Sequence, residues 1–349
     1  MKNVLMGSFR FVYLSLLLWA PAALSAPAQR VLLDMASAPV TVPQPVERVV
    51  TVGAVPVLNS LIFAVGEGRS IANGLPAFAK HSRWGYQTVF APQIAKLPSL
   101  QNPDNTPDLE ALLQTAPDAV LTMDRAGAER MRRAGLPALY LAWTRPEQVK
   151  AAVRLLGQLY ARPDAADRYV ERFDHILATV AARLQRSKPV RPRVLYFNPA
   201  TLTQPHLVVE WWIRAAGGES VTDDGRSIEA RSFTMEQLLA WDPDFLIVVS
   251  REDAEMLVRE PRFAGLSAVR NRHLLVAPCA AHTWANRTAE QPLTVLWAAS
   301  QFHPSLFDDI DLAAETARFY RDIFGVELSP EQIGEILAGG PAANSVRHK

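Results

Sequence analysis

One ten-residue pattern of this chain occurs twice. Leu109-Glu-Ala-Leu-Leu-Gln-Thr-Ala-Pro-Asp118 aligns without gaps to Met235-Glu-Gln-Leu-Leu-Ala-Trp-Asp-Pro-Asp244, each position of the second copy standing 126 residues after its counterpart. Both copies read as a short helix: Asp108 or Thr234 precedes it as a cap for an orphan amide, and Glu110 or Glu236 sits in the first turn, where the helix dipole favours negative charge. Pro-Asp then ends the helix and an apolar run follows. A repeat of this kind supports two similarly built halves. Capping alone accounts for either glutamate singly. Two gapless copies suggest a pseudo-symmetric pair of exposed carboxylates, suited to docking on a symmetric basic partner.

The rest of the pattern agrees with two halves. Arg48–Val52, Ala119–Thr122 and Ala138–Leu141 read as buried strands, and Val57–Val65, Leu109–Thr115 and Ala126–Ala134 have helical spacing between them. This βαβ rhythm implies a parallel sheet covered by helices on both faces. From Pro146 to about Ser187 the pattern is wholly helical, with a restart at Pro163 and an apolar face of Tyr169, Phe173, Ile176, Leu177, Val180 and Leu184. A second α/β half opens at Arg193–Phe197 and continues with strands at Phe245–Val249 and Leu274–Ala277, then helices at Leu293–Ser300, Leu312–Phe324 and Pro330–Leu337. The expected fold is α/β: two lobes with mainly parallel sheets flanked by helices, joined by a single long backbone helix. Its divisions are an N-terminal lobe at 29–145, a connecting helical segment at 146–189 and a C-terminal lobe at 190–349.

Residues 1–28 read as a signal peptide. Lys2 and Arg10 flank the start of the apolar run Phe11–Ala20, which is too short to span a bilayer and is closed by Pro21. Ala26-Pro27-Ala28 fits the small-x-small cleavage rule, which puts the mature start near Gln29; a membrane anchor is the alternative reading. No Cys lies near the cut, so no lipid anchor is expected, and the mature protein is expected to be exported to a periplasm. With 36 Lys and Arg against 35 Asp and Glu, the formal net charge is +1, which gives no electrostatic argument for nucleic acid. The single Cys279 excludes an intramolecular disulfide.

Val46-Glu-Arg-Val-Val-Thr-Val-Gly53, the two Glu-x-Leu-Leu-x-x-x-Pro-Asp repeats, the helical connector, Leu296-Trp-Ala-Ala and Phe302-His-Pro-Ser-Leu-Phe-Asp-Asp-Ile-Asp311 together resemble a known pattern. It is that of the periplasmic solute-binding proteins of iron-siderophore, haem and cobalamin ABC importers, the class III receptors with a helical backbone. The resemblance runs from about Val46 to Leu337. It implies a ligand cleft between the lobes, modest lobe closure about a rigid helix, and one surface carboxylate per lobe meeting arginines of the inner-membrane permease dimer. Glu110 and Glu236 match those docking positions. It further implies a monomeric receptor with no covalently bound cofactor and no enzyme activity. The expected ligand is a ferric chelate, a ferric siderophore first, with haem, a corrinoid, or an oxyanion or nickel chelate as alternatives.

In open α/β sheets ligands bind beyond the carboxyl ends of the strands. Those positions here are Gly53–Pro56, Met123-Asp-Arg125, Trp143, Asn198-Pro199, Arg251 and the Cys279–Arg287 loop, to which the aromatic and basic segments His81–Tyr86 and Val209–Arg214 add further candidates. The expected ligand contacts are Trp84, Tyr86, Arg125, Trp143, Trp211, Trp212, Arg231, Arg251, His282, Trp284 and Arg287. Aromatic faces bury apolar ligand surface, and guanidinium groups pair with carboxylate or catecholate oxygens. Trp84 and Trp284 stand in loops and lead the aromatic candidates, because loops carry binding function. His282 could complete the coordination sphere of a bound chelate, while His303 reads as structural. No His-x-His or His-Glu-x-x-His cluster marks a bare zinc or manganese site, and Asp308-Asp-Ile-Asp311 lacks the Gly and distal Glu of a calcium loop, so helix capping is the expectation there. A periplasmic enzyme is the other alternative. No nucleophile elbow, P-loop or dinucleotide fingerprint occurs, which leaves Cys279 as the only nucleophile in view.

Overall fold

The computed structural model describes residues 28–80 and 82–341; the expected signal peptide falls outside them except for Ala28, and so does His81. The chain opens with an antiparallel hairpin of β1 (Ala28–Leu33) and β2 (Pro39–Gln44). β3 (Val49–Val52) turns through Gly53 into α1 (Val55–Ala64), and an irregular stretch with α2 (Tyr86–Phe90) leads to α3 (Leu109–Thr115). β4 (Ala119–Thr122), α4 (Arg125–Arg133) and β5 (Ala138–Tyr140) complete a parallel sheet of order β3-β4-β5. Then come α5 (Pro146–Leu159) and the 25-residue α6 (Pro163–Ser187). The second half contains β6 (Arg193–Tyr196), β7 (Thr203–Gln204), α7 (Val208–Ala215), β8 (Glu219–Ser220), β9 (Arg231–Ser232), α8 (Met235–Trp241), β10 (Phe245–Val248), α9 (Arg251–Arg259), α10 (Ser267–Arg270) and β11 (Leu274–Val276). Its parallel sheet has the order β11-β10-β6-β8, beside a small antiparallel pair of β7 and β9. α11 (Gln291–Phe302), α12 (Leu312–Phe319) with a π-type turn through Phe324, and α13 (Pro330–Leu337) end the described chain.

Alternation along the strands explains how the halves join. Val49, Ala119, Leu121 and Leu139 on one sheet, and Val194, Tyr196 and Ile247 on the other, point into a single apolar cluster shared with α1, α5, α6 and α11. Their neighbours point the other way: Val50, Val52 and Val120 fill an outer core in the first lobe, and Leu195, Phe197, Leu246 and Val248 fill one in the second. Burial on both faces is why these strands are continuous apolar runs. α6, about 37 Å long at 1.5 Å per residue, begins with Pro163 in its first turn and ends at Lys188 in the left-handed conformation. It buries Ala166, Tyr169, Val170, Phe173, Ile176 and Val180 along one stripe and packs against α5 and α11.

The repeated segment is used the same way in both lobes. Asp108 and Thr234 accept the amides of Ala111 and Gln237, and each helix stops at a left-handed residue, Ala116 (φ 46°) or Asp242 (φ 37°). The closing aspartate then latches the helix to the neighbouring strand: Asp118 Oδ2 accepts the amides of Glu47 and Arg48 at 2.7 and 2.8 Å, and Asp244 Oδ2 accepts that of Arg193 at 2.7 Å. Arg48 and Arg193 return the bond by donating to the last helical carbonyls, those of Thr115 and Trp241. This latch leaves Glu110 and Glu236 unused. Both face solvent, and beside them Leu113 and Leu239 remain 50% and 44% exposed. Each helix turns back into the strand that follows it, so its N-terminal glutamate stands towards the carboxyl ends of the parallel strands.

Candidate functional site: a cleft between the lobes

A cavity of about 470 Å³ opens at those carboxyl ends. From the first lobe it is lined by the β3–α1 turn, Phe78, Asn105 and Met123-Asp124 after β4; from the second by His206, His282, Asn286 and Arg287. Gly53 adopts φ 85° to turn the chain, and its amide donates to Gln101 Oε1 at 2.8 Å. His206 precedes α7, and the other three residues belong to the loop after β11. Concavities elsewhere, of about 590 Å³ beside α1 and about 410 Å³ beside α12, are lined by charges largely engaged in ion pairs such as Arg162–Glu67 and Arg318–Glu315.

The cavity wall combines aromatic faces with buried polar groups. The His282 ring stacks on Trp84 at 5.9 Å and 12°; Phe78 meets Trp84 edge-on at 6.0 Å, and the Arg83 guanidinium covers Trp84 at 5.2 Å. Glu229, brought in by the loop before β9, stands 3.7 Å from both His206 Nδ1 and Arg287 Nη1, and it accepts the Leu207 amide at 3.2 Å. Burial pushes the His282 imidazole down to about 3, helped by the nearby positive charge of Arg83, and burial also lowers that of His206. Both rings are therefore neutral at pH 7, the form that accepts hydrogen bonds and ligates metals. Buried polar atoms normally find partners. Here Trp84 Nε1, His206 Nδ1, His282 Nδ1 and Arg287 Nε have none within hydrogen-bonding distance.

The remaining expected contacts lie elsewhere. Tyr86 is buried, and its hydroxyl donates to Glu335 Oε2 at 2.9 Å, tying the first lobe to α13. Trp143, Trp212 and Trp284 are fully buried in the shared core; Trp212 Nε1 donates to the Ala285 carbonyl and Trp284 Nε1 to the Tyr320 hydroxyl. Trp211 stacks on Phe173 of α6. Arg125 starts α4 and pairs with Glu129, Arg231 pairs with Asp224 and covers Trp241, and Arg251 donates to the Ala338 carbonyl. None of these lines the cavity. His206, Phe78, Asn105 and Glu229 were not expected; Gln204-Pro-His206 just before an aromatic helix was the available signal for the first. Cys279 is buried, donates to the Arg83 carbonyl, and has its thiol pushed up to about 12 by burial, the environment of an inert thiol. Asp311 caps α12, and His303 reaches the Gly217 carbonyl at 3.2 Å. Among the described residues, no group of three or more His, Cys, Asp or Glu is gathered to hold a bare ion, and no helix is long and apolar enough to cross a membrane.

The buried imidazole makes stability depend on pH. In the unfolded chain His282 titrates near 6.5, against about 3 when folded. Between those values the unfolded state takes up a proton that the folded state refuses. Its contribution is complete above 6.5 and falls by about 1.4 kcal/mol per pH unit as pH drops towards 3. His282→Asn is expected to flatten the acid side of the stability curve by that slope, measured by chemical denaturation between about pH 4 and 7.5. Parallel curves for the two proteins would refute it.

The sequence profile of the periplasmic binding proteins matches residues 73–280. Among solved structures, a periplasmic solute-binding protein of Veillonella parvula superposes with a TM-score of 0.76 at 22% identity, covering 89% of this chain and 97% of that one. The molybdate-binding protein MolA of Haemophilus influenzae is 20% identical over 336 residues, covering 88% of this chain and 94% of its own, and its molybdate-bound structure gives a TM-score of 0.74. The Helicobacter pylori protein CeuE in a nickel–histidine complex gives 0.73 at 14% identity, covering 87% and 98%. With that profile matched over residues 73–280, and with two parallel sheets flanked by helices and a connecting helix beside it, the chain belongs to the periplasmic binding protein family.

Proposed function

We propose that the cleft captures an anionic metal chelate, a ferric siderophore first, and that the loaded monomer delivers it to the inner-membrane permease dimer through Glu110 and Glu236. The observation carrying this reading is the set of three unpartnered buried polar atoms on residues lining one cavity, two of them on neutral imidazoles, with Trp84 Nε1 a fourth just behind His282. A chelate with open coordination positions would accept those imidazoles, while Arg287, the one Lys or Arg in the lining, would meet its negative oxygens. The Phe78–Trp84–His282 wall offers faces for apolar ligand surface. The volume falls in the range of about 300–1,000 Å³ that holds drug-sized molecules. A small oxyanion is the second reading, favoured by Arg287 with Asn105 and Asn286 and by the likeness to MolA.

Tryptophan-fluorescence titration separates the two. Ferric hydroxamate and catecholate siderophores, haemin, cobalamin, nickel with histidine, and molybdate form the panel, with Trp84 as the reporter. A ferric siderophore is expected to quench saturably at one equivalent, and Trp84→Phe to remove most of the signal. A response to molybdate alone would replace the chelate reading by the oxyanion one, and silence across the panel would end both.

A further inference from the structure

The cavity described above does not include Glu290, yet this fully buried carboxylate organises the loop that lines it. Oε1 accepts the Ala281 amide at 3.1 Å and the Tyr320 hydroxyl at 2.6 Å; Oε2 accepts the His282 amide at 3.2 Å and the Thr288 hydroxyl at 2.6 Å. Both hydroxyls are engaged from behind as well. The Tyr320 oxygen accepts Trp284 Nε1–H and the Thr288 oxygen accepts the Glu290 amide, which leaves each hydroxyl proton free to be given to the carboxylate. Four donors converge on two acceptor oxygens, an arrangement that the amide of Gln, with a single acceptor oxygen, does not reproduce. Burial raises the pKa of this carboxyl, and the four hydrogen bonds oppose part of the rise. On the other side of the same peptide, Gln87 Nε2 donates to the Ala281 carbonyl and to that of Pro56, with Gln87 Oε1 taken by Asn59 and Asn59 by Thr51 of β3.

We propose that Glu290 is the positioning residue of the ligand-binding loop: with Gln87 opposite, it clamps Ala281 and His282 between the lobes and holds the His282 ring against Trp84 at the cavity wall. The inference rests on the cavity being the ligand site. Without the carboxylate, the two amides of an irregular loop lose their acceptors, and the ring loses the backbone that aims it.

Hydrogen exchange and titration with a ferric siderophore test this together. In the native, unliganded protein the amides of Ala281 and His282, which belong to no helix or strand, should exchange as slowly as those of β10; fast exchange would overturn the proposal whether or not any variant folds. Glu290→Gln places an NH2 against one of the two amides. It is expected to deprotect them selectively and to weaken siderophore binding by about tenfold. Tyr320→Phe removes a donor of the same length that touches no loop amide, and should keep affinity within about threefold. Equal losses in both variants, or unchanged protection in Glu290→Gln, would overturn the positioning role. Titrating the native protein alongside distinguishes this failure from failure of the cavity reading, in which native protein binds no siderophore while the exchange result stands by itself.

Discussion

The double variant E110A/E236A is expected to lose chelate uptake almost completely while binding the chelate as tightly as the native receptor. Both side chains project into solvent from the first turn of short helices; the cap bonds to Ala111 and Gln237 and the latches of Asp118 and Asp244 are made without them, although the Thr234 hydroxyl also meets Glu236. Alanine is a good helix former, so the local cost is limited to the charge–dipole contribution of about 0.3–1 kcal/mol at each site. The cost in docking is larger. A carboxylate paired with a guanidinium in a desolvated contact contributes about 2 kcal/mol or more, and two such contacts far apart add. Together they amount to about a thousandfold in docking affinity. Uptake of labelled iron by cells, set beside titration of the purified variant, checks both halves. Undiminished uptake would remove the docking assignment, and a loss of chelate affinity would mean that the two helices reach the cleft.

Arg287→Ala is expected to weaken ferric siderophore binding by about 10- to 150-fold, the equivalent of one charge-assisted hydrogen bond of about 1.5–3 kcal/mol. Arg287 is the one Lys or Arg of the lining; its Nε has no partner, and its nearest carboxylate, on Glu229, is 3.7 Å away. Removing it also leaves Glu229 with only the neutral His206 beside it. By contrast, Arg125→Ala and Arg251→Ala, at exposed positions outside the cavity, should change affinity by less than about twofold. The same fluorescence titration reads all three. Equal effects of Arg287→Ala and Arg251→Ala would mean that long-range charge, and not contact, attracts the ligand.

Much of this architecture is written in the period of the apolar residues. Ala119–Thr122 and Pro330–Leu337 were expected with the bounds observed, and Arg193–Phe197 and Phe245–Val249 within one residue, because buried parallel strands and amphipathic helices leave dense local signals. The opening hairpin was invisible for a physical reason. β2 contains two prolines, Pro39 and Pro43, which argue against a strand in sequence and are tolerated here on an edge. The rule that ligands sit beyond strand ends led to Gly53–Pro56, Met123-Asp124 and the loop bearing His282, Asn286 and Arg287. The preference for aromatic residues on loops did less well. It singled out Trp84, which stacks beside the cavity, but also Trp284, because the loops after β5 and β11 cross the seam between the lobes and do not run over the surface. Which face of a loop meets solvent is a property of both lobes at once, and no single segment records it. Glu229 is the same case: its ionic partners come from two other loops.

The cluster common to both lobes has a consequence for how such receptors diversify. Val49 of one sheet and Ile247 of the other belong to one apolar mass, along with α6 and α11. Each half closes only its outer core by itself, and a recombination that grafted one lobe onto a distant cousin would strip the seam of its matching shapes. New cargo is more easily acquired by editing the loops at the mouth, with the interlocked trunk inherited whole.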